Sequence, residues 1–159
     1  MLISLIFLVL LSSGGDSKRE FVSPDNSVRA VVYNFVDSLR GEMLESRLCI
    51  YAKNGQLLID KSFVSPDREH GFGIYRANWS EDSRFFIVGM SSSGGHMPWQ
   101  LFTSVFSVAN KRLVDLNKRM PITAYRLIMP DSLQITTFTK NIKYPKVITV
   151  WLPHLIDHK

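Results

Sequence analysis

The segment best supplied with groups that could do chemistry is Ser91-Ser92-Ser93-Gly94-Gly95-His96-Met97-Pro98-Trp99. Three hydroxyls and two glycines give an open backbone whose amides could cradle an anion. His96 and Trp99 add side chains that could meet a ligand. Long connections carry function more often than short ones. The segment lacks both the Lys and the following helix of a phosphate loop, which argues against nucleotide binding by that route. The bland reading is a hairpin connection pinned by Pro98 and anchored in the core by Trp99. The binding residues expected are Ser92, Ser93, Gly94, Gly95, His96 and Trp99, joined by Arg84 and the basic pairs Lys111-Arg112 and Lys118-Arg119 if the fold brings them together.

Catalysis and metals find less support. Ser92, His96 and Asp82 can be assembled into a triad, but no strained nucleophile turn or oxyanion donor gives it force. No catalytic residue is assigned on this basis. Of His70, His96, His154 and His158, only the last two are close together, in a polar tail, so neither a metal site nor a cofactor is expected. Cys49 is the single cysteine and can form no internal disulfide. It sits in an apolar alternation and reads as a small buried hydrophobe. Asn78-Trp79-Ser80 fits a glycosylation acceptor, but at a strand end with Trp79 turned inward it reads as a chance match.

The net charge of +5 is unevenly placed. Up to Asp82 there are nine basic and eleven acidic side chains; from Ser83 onward there are ten and three. The positive half suits something anionic, a lipid headgroup surface, a polyanionic glycan or an acidic partner, against the alternative that the charge only aids solubility and that Lys111-Arg112 and Lys118-Arg119 are solvated turn residues flanking one strand. Basic residues are not interleaved with aromatics on one strand face, so nucleic acid is not expected.

The N-terminus differs from the rest. Leu2–Leu11 is apolar except for Ser4, and Ser12, Ser13, Gly14 and Gly15 follow. Such a run is shorter than the roughly 20 residues of a spanning helix. It matches the apolar core of a secretory signal, with Ser13 and Gly15 at peptidase positions, although no Lys or Arg precedes it; the alternative is a buried first strand, against which stands the clean compositional break that follows. Residues 1–15 are therefore expected to be a signal peptide and 16–159 a single β domain, secreted or periplasmic, with no stable membrane anchor after cleavage.

From Phe21 onward the apolar residues recur with period two. Val28–Val32 and Leu48–Ala52 alternate as strands, and Lys53-Asn54-Gly55-Gln56 predicts a type I′ hairpin leading into Leu57–Ser62. Gly73–Trp79, Arg84–Met90, Trp99–Val108 and Arg112–Asn117 form a four-stranded meander. Ala124–Met129, Leu133–Thr139 and Lys146–Leu152 follow. Asn34–Leu44 reads as a connection and Pro153–Lys159 as a fraying tail.

One phrase recurs at the head of these strands: Ser23-Pro24-Asp25-Asn26-Ser27, Ser80-Glu81-Asp82-Ser83 and Met129-Pro130-Asp131-Ser132. Pro fixes φ at the first corner, and Asp bonds forward to the backbone. Trp79–Val88, followed by Phe106–Leu116, resembles one blade of a TolB-like or WD-repeat β-propeller, whose blades carry an aromatic-Ser-Pro-Asp turn and a later aliphatic-Asp-aliphatic stretch. Glu81 stands where that pattern has Pro. The resemblance implies an all-β fold of antiparallel, blade-like meanders over about 21–63, 72–118 and 122–152. Three units are fewer than the ~4–8 that close a propeller. A partial propeller, closure with another chain, and a small closed sandwich or barrel are the outcomes open, the last preferred because it leaves no wide edge. The function expected is an exported binding or interaction module without cofactor. The alternatives are an extracytoplasmic hydrolase using the Ser91–Trp99 loop, and a structural subunit that pairs through an open sheet edge into an oligomer.

Overall fold

Period-two alternation produces strands along nearly the whole chain. The computed structural model describes residues 17–37, 42–95, 100–118, 120–137 and 145–157. The expected signal peptide therefore lies outside the described residues. The first sheet is a meander of β1 (Ser17–Val22), β2 (Val28–Asp37), β3 (Glu42–Ala52) and β4 (Leu57–Ser62). The second is a meander of β5 (Phe72–Trp79), β6 (Phe85–Ser92), β7 (Phe102–Ser107) and β8 (Arg112–Asp115). In the third, β10 (Ser132–Thr137) pairs with both β9 (Ile122–Met129) and β11 (Lys146–Trp151), and α1 (Leu152–Asp157) follows. All pairings are antiparallel, as the all-β reading expects.

The sheets do not close into a barrel; they stack, as in a partial propeller or sandwich. Val28, Ala30, Val32, Leu48 and Ile50 of the first sheet pack on Ile74, Phe86, Val88 and Phe106 of the second. The opposite face of the second sheet, Phe85, Ile87 and Val105, packs on Ile122, Tyr125, Leu133 and Ile135 of the third. This double coverage explains why β6 opens as an unbroken apolar run, since a strand buried on both faces loses its alternation. Each fully buried Leu, Ile or Phe contributes about 1.5–3 kcal/mol by leaving water, so these two layers dominate cohesion.

The recurring phrase builds a recurring turn. Ser23 Oγ accepts from the Val28 amide (3.0 Å) and donates to Asp25 (2.7 Å), while Asp25 accepts from the Ser27 amide (3.0 Å). In the second copy Ser80 Oγ accepts from the Phe85 amide (2.9 Å) and donates to Asp82 (2.7 Å), which accepts from the Arg84 amide (3.1 Å). The fourth residue of each is left-handed, Asn26 at φ 57° and Ser83 at φ 63°. A further copy is Ser65-Pro66-Asp67, with Arg68 at φ 60°, in the connection from β4 to β5. Met129-Pro130-Asp131-Ser132 is different. There Met129 and Ser132 pair directly across the corner, and the Asp131 carbonyl accepts from the Leu152 amide (2.8 Å).

Ser80→Ala tests the turn. It leaves the Phe85 amide without its acceptor at a buried corner. A loss of about 1–3 kcal/mol is expected, read as a fall of several degrees in the melting temperature.

Three local expectations are corrected. The hairpin after β3 is not type I′. Asn54 does not adopt positive φ, and the Gly55 amide bonds the Ala52 carbonyl (2.9 Å) with Gly55 at φ +85°. A type I turn followed by a left-handed glycine bulge results. Asn34–Leu44 is not all connection, because β2 runs to Asp37 and β3 starts at Glu42, with 38–41 outside the described residues. Its first residue is interior: buried Asn34 accepts from the Ser46 hydroxyl (2.9 Å), and Ser46, buried in β3, accepts from the Ile74 amide (2.9 Å). The tail forms α1, whose first residue, Leu152, is fully buried.

Candidate functional site

Of the expected site residues, the structure places Ser92, Ser93, Gly94 and Gly95 together at one end of β6 and Arg84 at the other. Ser91 and Ser92 belong to β6, paired with Gly73 and Phe72, so the connection begins only at Ser93. Gly94 and Gly95 follow, with Gly95 at φ +66°, a left-handed corner suited to glycine. His96, Met97, Pro98 and Trp99 lie outside the described residues. Arg84 stands at the other end of β6, roughly 25 Å away for a strand of this length.

Ser93 is held by an inner polar cluster. Its hydroxyl donates to Glu45 Oε1 (2.9 Å), and its amide bonds the Gly71 carbonyl (3.0 Å). Glu45 has no exposed surface. It also accepts from the Ser65 amide (2.7 Å), the Ser65 hydroxyl (2.6 Å) and the Gly71 amide (2.5 Å). Burial works to raise its carboxyl, but these donors outweigh burial and hold it below the ordinary 4.5. One carboxylate thus ties β3, the β4–β5 connection and the end of β6. That arrangement is a structural latch, with three donors on Oε1 and one on Oε2 among the described residues.

At the opposite end the turns interlock. The Asp25 amide donates to Ser83 Oγ (3.0 Å), linking the first and second sheets. Arg84 bonds Asp82 within its own turn and reaches Asp131 (3.4 Å), linking the second and third. The Ser23 hydroxyl, helped by the Ser27 amide and hydroxyl, holds Asp25 down to about 2. Asp82 is likewise low: burial would raise it, but the Ser80 hydroxyl and Arg84 outweigh that effect. These carboxylates bind their own turns, so Asp82 is committed to architecture rather than poised as a partner for a histidine. Cys49 is free and buried, and burial pushes its thiol up.

Two concavities among the described residues bear on function. The larger, a groove of about 820 Å³, runs between β4 and β7–β8. Phe63, Phe72, Met90 and Phe102 form its floor, the Phe72 and Phe102 rings 4.5 Å apart. Lys61, Lys111, Arg112 and Lys118 stand along its sides, with Asp60 and Asp115. Asp60 is held low mainly by its bonds from Arg47 (2.8 and 2.5 Å), and Asp115 accepts from the Asn117 amide (2.9 Å). Among the described residues the four cations have no carboxylate partner. The smaller cleft lies between β5 and β9. Among the described residues no group of three or more His, Cys, Asp or Glu is placed to hold a metal, and no helix is long and apolar enough to cross a membrane.

Sequence reasoning missed this groove because its floor comes from three strands and a connection far apart in the chain. Lys111 and Arg112 were visible only as turn residues. The Glu45 latch had one readable sign, the Ser65-Pro66-Asp67 copy of the repeated phrase.

No protein-family model and no curated protein matches the chain. Among solved structures it is similar to a prolyl endopeptidase (13% identity, TM-score 0.48), covering 87% of this chain and 20% of that one. It is similar to a candidate conserved lipoprotein of Clostridium novyi NT (11%, TM-score 0.46), covering 88% and 98%. It is also similar to the periplasmic gluconolactonase of Pseudomonas aeruginosa (15%, TM-score 0.44), covering 87% and 40%. The endopeptidase and the gluconolactonase are propeller-like proteins and weak matches, and they assign neither a family nor an activity.

Proposed function

We propose that this chain is an exported binding module that holds an acidic segment of a partner protein in the groove between β4 and β7–β8. The observation that carries this reading is the pairing of an aromatic and methionine floor with four cations free of carboxylates among the described residues. Aromatic or aliphatic side chains of an extended partner would lie on Phe72 and Phe102, and its carboxylates would meet Lys61 and Lys111. Floors of this type supply most of the affinity, while the charged rim sets selection and on-rate. Export rests on the apolar run Leu2–Leu11 and the small residues behind it.

The test is fluorescence anisotropy with labelled peptides alternating Glu and Phe, against Lys and Phe controls. Binding of the acidic set is expected to weaken as salt rises, and to fall roughly tenfold or more in Lys61→Glu with Lys111→Glu. Equal binding of both sets, or indifference to the double charge reversal, would remove the reading.

A second reading has its own observation. The third sheet has one strand fewer than the other two, and β11 carries no strand on its outer side among the described residues. Val147 and Trp151 of β11 are 55% and 48% exposed. Such an edge accepts an added strand. Light scattering separates the two readings: a discrete oligomer that Val147→Lys converts to monomer favours strand addition, and a monomer favours the groove.

A further inference from the structure

One wall of the groove is a free strand edge. β4 ends the first sheet and carries no strand on its outer side among the described residues. The Phe63 amide bonds the Ser46 carbonyl (2.9 Å). From that pair the register runs unshifted through Leu48↔Lys61 to Ile50↔Ile59. Along an antiparallel ladder, hydrogen-bonded pairs alternate with pairs whose backbone groups point the other way. Ile59 and Lys61 are therefore bonded to β3, while the amides and carbonyls of Asp60 and Ser62 point off the edge. Both of these residues are exposed.

Side chains alternate as well. Ile59 and Lys61 share a face with Ile50 and Leu48, which pack on the second sheet. The groove floor of Phe72, Met90 and Phe102 belongs to that second sheet. A strand set about 4.8 Å beyond β4 would lie above this floor at the ordinary sheet-to-sheet distance. β8 is also the edge of its sheet, but a strand added there would widen the floor and leave it uncovered. Lys61 sets the sign of what may pair. An inward-facing charge at a free edge opposes a second copy of the same edge and suits an acidic strand.

We infer that the acidic segment binds as a fifth strand of the first sheet, bonded to Asp60 and Ser62 of β4, its alternate side chains on the floor. This rests on the groove as the binding surface and adds the conformation in which the segment is held. Backbone bonds of this kind are indifferent to sequence, so the floor and the cations beside it set the choice of partner.

The experiment is amide hydrogen exchange, read by NMR on the full chain with and without a saturating peptide alternating Glu and Phe. The Asp60 and Ser62 amides should slow roughly tenfold or more on binding, while those of Ile59 and Lys61, already bonded to β3, change far less. Anisotropy is measured in parallel with two peptides N-methylated on alternate residues. The one whose methyl groups face β4 should bind roughly tenfold more weakly or worse, and the other like the parent peptide. A peptide that binds without slowing Asp60 and Ser62, or that tolerates both methylation patterns, would overturn the added strand and leave the groove reading in place. Slowing along β11 instead would overturn it by placing the strand on the other open edge. No binding of the unmodified peptide would overturn both readings.

Discussion

Glu45→Ala is expected to destabilise the protein by about 3–5 kcal/mol, the sum of buried donors left without an acceptor and the space left by the side chain. Four bonds end on this carboxylate, two of them from backbone amides, that of Gly71 in a buried bond. Glu45→Gln should cost less, yet more than a surface change, because its NH2 group would face donors. The two variants also differ from the parent in acid. The folded carboxyl is held below its ordinary 4.5. A depressed group contributes stability above the unfolded pKa and loses it as pH falls through the folded one. The parent should therefore lose stability below about pH 4.5, and both variants should show a flatter acid limb over that interval. Urea unfolding at several pH values measures both effects. Equal slopes in parent and variants would mean that Glu45 is not the anion the latch requires.

Gly71→Ala is the second large effect. A Cβ at this position would fall 2.5 Å from the Glu45 carboxyl carbon and closer still to the Phe63 carbonyl. Neither neighbour can yield cheaply, one being backbone and the other the buried hub. A loss of about 2–4 kcal/mol is expected, in the range of overpacked cores with backbone shift. Combined with Glu45→Ala, part of the clash disappears with the carboxylate. The double variant should thus be more stable than the two single losses added together, a coupling of roughly 0.5–3 kcal/mol between touching residues. Strict additivity would show that the glycine is required for some other reason.

How much of this was legible in the sequence follows from where the signals lie. Alternation along Val28–Val32 and the Ser-x-Asp turns is local chemistry, and both announce strands directly. The stacking of the sheets is foreshadowed only in β6, where Phe85–Val88 loses its alternation because both faces are covered. Asn34, Glu45 and Ser46 were unreadable as interior residues. Their polarity marks a surface unless the partners are known, and those partners arrive from up to 48 positions away, as Ser93 does for Glu45. The same reason hid the groove. Ser93, expected in a binding loop, donates to Glu45 in the latch, and Arg84 ties turns at the far end of its strand. Hydroxyl and guanidinium groups advertise hydrogen bonding without saying to what.

The most direct test of the account is backbone NMR of the full chain titrated with an acidic, Phe-containing peptide. The expected result is a set of shift changes confined to residues 60–63, Phe72, Phe102 and Lys111, saturating with peptide and fading with salt. Changes centred on β11 instead, or none that saturate, would contradict the groove as the binding surface.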